Sequence, residues 1–113
     1  MTKSELSALL HKLNIPVGEG EQYLDSKDKL PKIAYWEYLW HDSMASGDDY
    51  DTLVTYQVSL VSSRPRDASL IKLKQMLNEI GLHPDINIEY VKGQNSPGQY
   101  HTYFALQVSE DIC

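Results

Sequence analysis

The stretch LPKIAYWEYLWHDSMASGDDYDTLVTYQVSLVSS, residues 30–63, decides the fold. From Ile33 the residues Ile33, Tyr35, Glu37 and Leu39 alternate with Ala34, Trp36, Tyr38 and Trp40. Neither series is plainly polar, so the spacing predicts a strand buried on both faces, against its own core and against something else. The second half is different: Val54, Tyr56, Val58 and Leu60 alternate with Thr55, Gln57 and Ser59. That is the pattern of a half-buried antiparallel strand. Between the two, residues 41–51 read as an acidic turn carrying Asp42, Asp48, Asp49 and Asp51. The whole is a long aromatic hairpin.

Working outward, Thr2-Lys3-Ser4-Glu5 matches a capping box, and Leu6, Leu9, Leu10 and Leu13 recur at helical spacing up to Asn14 and Pro16. A short amphipathic helix over 3–13 follows. Residues 15–29 mix glycine, proline and charge and read as loop, with a short strand near Ile15–Val17 as an option. Beyond the hairpin, Pro65 stops the strand and Asp67 offers an N-cap. Leu70, Leu73, Leu77 and Ile80 then form the stripe of a second helix, widened by Ile71 and Met76, and Gly81 suits its closing position. Ile86, Ile88 and Tyr90 alternate, GQNSPG makes a turn, and Tyr100, Thr102, Phe104, Leu106 and Val108 alternate again. The order α-β-β-α-β-β predicts an α+β domain over 1–113, a mainly antiparallel sheet of about four strands covered on one face by two helices.

Composition narrows the functional classes. The chain has 113 residues, 42% hydrophobic and 23% charged, which suits one folded domain. No apolar run approaches the roughly 20 residues of a membrane helix, and no basic-then-apolar leader opens the chain, so it reads as soluble and unsecreted. A net charge of −6 argues against a phosphate-binding surface. Sixteen acids offset by ten bases also make a weak mimic of DNA. The single cysteine, Cys113, permits no internal disulfide.

Catalytic and metal-binding signatures are missing from the sequence. His11, His41, His83 and His101 have no helical i, i+4 partners of ligand type, and Asp48-Asp49-Tyr50-Asp51 lacks the spacing and terminal glutamate of a calcium loop. There is no Gly-x-Ser-x-Gly elbow and no phosphate-cradling glycine motif. The expectation is a protein without catalysis, cofactor or metal. Tyr and Trp interleaved with acids, rather than with bases, point to core on one side and protein interface on the other.

The succession KIAYWEYLWHDSMASGDDYDTLVTYQVSLVSSRPRDASLIKLKQMLNEIGLHP (32–84), followed by the closing YHTYFALQVS (100–109), resembles the small tail-completion and head-tail joining proteins of long-tailed phages and prophages of Gram-positive bacteria. The resemblance runs over about residues 3–110. It rests on the order of elements: the Pro31–Leu39 aromatic strand, the acidic Asp48-Asp49 turn, the Tyr56-Gln57-Val58 strand, the short basic link, and the helix ending near Gly81. It implies a structural virion protein, made in the host bacterial cytoplasm and set as a ring of about six copies at the head-proximal end of the tail. The partners implied are other copies of the chain, the tail tube protein and the head connector protein, with no membrane and no sequence-specific nucleic acid. Tyr35, Trp36, Tyr38 and Trp40 would serve the interface, with Asp48 and Asp49 facing the lumen or pairing with a neighbour near Arg64 and Arg66. The alternative is a cytoplasmic small-ligand or protein-binding module with a pocket among Tyr35, Trp36, Tyr38 and Tyr56.

Overall fold

The computed structural model describes residues 2–25, 30–44, 50–92 and 98–110. The fold is α+β, and its sheet is mixed and five-stranded. Helix α1 (Lys3–His11) begins at Thr2, whose Oγ1 accepts the Glu5 N–H at 3.2 Å and donates to Glu5 Oε1 at 3.3 Å. Glu5 thus returns to the cap through the hydroxyl. The helix stops at His11, short of the expected 13, because the Leu13 and Asn14 N–H groups bond three residues back and Asn14 takes a left-handed φ of 57°. Leu13 is buried all the same.

Residues after α1 hold the main departure from the expected four strands. β1 (Val17–Glu19) runs parallel to β2 (Lys32–Met44), pairing with Ile33, Ala34 and Tyr35. A short 3-10 helix, Glu21–Asp25, then lies over β2, where the buried Lys32 Nζ donates to the Leu24 carbonyl at 2.8 Å. Gly18 admits the Tyr23 ring, which any Cβ at that position would strike. The optional strand near Ile15–Val17 meets β1 only at Val17, because a strand of three residues is too short to alternate visibly and fix its own bounds.

β3 (Tyr50–Ser62) pairs antiparallel with β2, α2 (Ala68–Glu79) follows, and β4 (Asn87–Val91) and β5 (Gln99–Glu110) form a hairpin that inserts β5 beside β3. The order across the sheet is β1-β2-β3-β5-β4. The paired strands continue to Met44 and resume at Tyr50, so Asp42 and Asp51 belong to strands and not to the expected 41–51 turn; Asp48 and Asp49 lie outside the described residues. In α2, Asp67 Oδ1 accepts the Ser69 N–H at 2.9 Å. Leu82 N–H bonds the Leu77 carbonyl and Gly81 N–H the Asn78 carbonyl, the Schellman pattern that the left-handed Gly81, φ 78°, makes possible. Ile80 is therefore the C-cap and exposed, where the stripe had predicted burial.

Ladder partners share a face, so the register sorts the sheet. Ile33, Tyr35, Val54, Tyr56, Val58, Leu60, Phe104, Leu106 and Val108 form one core with the leucines of both helices. Both helices thus cover the same side, as expected. The opposite face carries Thr55, whose Oγ1 is buried with no hydrogen-bond partner among the described residues, between Leu39 and Gln107 in the ladder. Thr55→Val keeps the shape and the β-branch and removes the desolvated hydroxyl. It is expected to raise stability by about 1 kcal/mol in urea denaturation. A loss of similar size would reveal a hydroxyl partner. Among the described residues no helix is long and apolar enough to cross a membrane.

Candidate protein interface

β2 changes character along its length. Its first residues, Lys32–Tyr35, are buried, while Glu37–His41 are exposed. The cause is in its neighbours: β1 ends at Glu19, opposite Tyr35, and among the described residues no strand pairs with the outer edge of 36–44. Trp40 lies level with Val54 and Val108 in the sheet, yet it is 56% exposed where they are 0% and 1%. Burial drops across one strand spacing because the apolar cluster with the helices is centred on β3 and β5.

A register shift between Glu37 and Leu39 leaves Tyr38 without a ladder partner, the mark of a β-bulge. Its effect is to reverse the faces beyond it. Leu39 pairs with Thr55 and so stands on the face away from the helices, and Trp40, paired with Val54, stands on the helix side. Trp40 Nε1 donates to Glu37 Oε2 at 3.2 Å, which orients the indole along the edge. Tyr38, Leu39 and Trp40 form a contiguous exposed apolar stretch.

The residues expected at an interface are divided by this geometry. Tyr35 is buried and packs against Tyr56, ring centroids 6.1 Å apart, so it belongs to the core. Trp36 is half-buried on the opposite face, and Tyr38 and Trp40 are open to solvent. Arg64 and Arg66 are exposed just past Ser62, at the opposite end of β3 from the residues that join it to β2. Asp48 and Asp49, the partners expected for them, lie outside the described residues. The pocket expected from Tyr35, Trp36, Tyr38 and Tyr56 does not form as one wall, since Trp36 alternates with Tyr35 and points to the other side. A shallow groove of about 540 Å³ does exist, lined by Lys3, Ser4, Ser7, Ala8, His11 and Tyr35. Ser7 and His11 already satisfy each other there, the imidazole Nδ1 lying 2.8 Å from the Ser7 carbonyl and 3.4 Å from its hydroxyl.

A second apolar edge was not anticipated as an interface. All of β4 is exposed, including Ile88, Tyr90 and Val91, and Tyr90 leans on Tyr100 with centroids 5.1 Å apart. The alternation of Ile86, Ile88 and Tyr90 was legible as a strand. That the strand would stand at the far edge, with its apolar side outside the helical layer, depends on β5 crossing between β4 and β3. Among the described residues no group of three or more His, Cys, Asp or Glu could hold a metal ion. Compared with protein families and with curated proteins, the chain matches no family model and no curated sequence.

Proposed function

We propose that the chain is a structural protein of a long-tailed phage or prophage virion, assembled as a ring that caps the head-proximal end of the tail tube and joins it to the head connector. The observation that carries the reading is the presence of two unlike apolar edges on one sheet, Tyr38–Leu39–Trp40 on β2 and Ile88, Tyr90 and Val91 on β4. A subunit with two different sticky surfaces associates head to tail, and such contacts close into rings when the rotation per copy permits. Resemblance over about residues 3–110 supplies the virion setting. In such a ring the ends of β2 and β3, near Asp48 and Asp49, are suited to face passing DNA, which like charge keeps from sticking.

Native mass spectrometry over a concentration series, with negative-stain images of the largest species, tests this. Closed rings of fixed copy number, six expected, that seat on the ends of purified tail tubes are the predicted result. A monomer at every concentration that also leaves tube ends bare would overturn the reading.

A further inference from the structure

We infer that β4 of a second copy of this chain enters the notch above β1 and pairs antiparallel with 36–44 of β2, an inference that rests on the ring reading. An unpaired strand edge is a row of N–H and C=O groups whose natural partner is another strand. Edges that stay free are usually blunted by lysine or proline, and 36–44 holds neither.

Direction and size select β4. β1 and β2 are parallel, β3 opposes them, β5 opposes β3, and β4 opposes β5, so β4 runs against β2. A copy placed beside the first in the same orientation therefore offers an antiparallel strand, with the helices of both copies on the same side. β1 blocks β2 as far as Tyr35, and this sets a stagger: the neighbour must ride up along the strands until its β4 clears Glu19. β4, Asn87–Val91, is short enough to fit the free length of 36–44.

One register satisfies both faces at once. With Trp40 opposite Tyr90, two aromatic residues meet on the helix side, where their own ladder partners Val54 and Tyr100 place them. Leu39 then stands opposite Val91 on the other face, and His41 opposite Glu89. The pairing sets aromatic against aromatic, aliphatic against aliphatic and imidazole against carboxylate, the pairs that stabilise antiparallel sheets. Moving the neighbour two residues further down keeps the faces but, counted across the bulge, brings Lys92 level with Tyr35, whose carbonyl already accepts the Gly20 N–H.

The test is disulfide trapping in the full chain with Cys113→Ser. Leu39 and Val91 are exposed, at 50% and 43%, so Leu39→Cys and Val91→Cys are expected to fold. The double variant, oxidised and run without reductant, should give a ladder through trimer and beyond, because every copy carries both halves of the contact. Each single variant should stop at traces of dimer. Absence of species above dimer in the double variant would overturn the pairing, as would Leu39→Cys alone dimerising fully, which marks a twofold β2–β2 contact. Rings in micrographs without cross-links would overturn this contact and leave the ring reading standing. Cross-linked chains that never seat on tail tubes would uphold the contact and overturn the tail-capping role.

Discussion

Phe104→Ala is expected to cost about 3–5 kcal/mol of stability, the range for deleting a buried phenylalanine. Phe104 is 2% exposed, stands opposite Val58 in the β3–β5 ladder, and shares the core with the leucines of both helices. Its removal leaves a hole bounded by a strand on one side and helices on the other, which cannot close without moving the sheet. Against a total stability of roughly 5–15 kcal/mol, the loss should lower the melting temperature by more than about 10 °C. Urea denaturation with an unchanged slope would attribute the effect to the folded core. A loss under about 1 kcal/mol would mean that the ring is not in the core at all.

Trp40→Lys should do the reverse, leaving the fold alone and abolishing assembly. The residue is aromatic and lies on a strand like Phe104, but its side chain is largely in solvent and its one described bond, to Glu37, is exposed. Replacement at such a site typically changes stability by about 0.5 kcal/mol or less. For association the change is severe, because lysine on an open edge is the usual device by which sheets refuse a partner strand. In native mass spectrometry the variant should stay monomeric at concentrations where the parent is expected to form rings. Rings that persist with unaltered concentration dependence would remove this edge of β2 from the contact, whatever the protein's setting.

These two variants mark how far the sequence can be read. Period-two runs located β2, β3, β4 and β5, although β2 and β3 extend into the expected 41–51 turn, and the leucine spacings with Thr2, Asp67 and Gly81 located both helices, although α1 ends two residues early. Each of those signals is local: a cap or an alternation depends on residues a few positions apart. The short parallel β1 was legible only as an optional strand near Ile15–Val17, two residues early, because three residues of loop-like composition carry no period and its partner lies beyond a 3-10 turn. The candidate interface was half legible. Trp36, Tyr38 and Trp40 stood out as more aromatic than one core needs, but the same pattern could not separate them from Tyr35, which the core takes.

By itself the sequence determined an α+β chain with two leucine-faced helices on one side of a sheet built from long hairpin strands. Only the tertiary structure decided which aromatics are inside, because that depends on how far the helical layer reaches across the strands. It also decided that β1 stops at Glu19 and leaves 36–44 unpaired on that side among the described residues, that the bulge at Tyr38 turns Leu39 and Trp40 to opposite faces, and that β5 sends β4 to the far edge. Each of these is a matter of neighbours distant in the chain. Burial is a property of the assembled sheet and its cover, and a side chain's own residue type and spacing do not contain it.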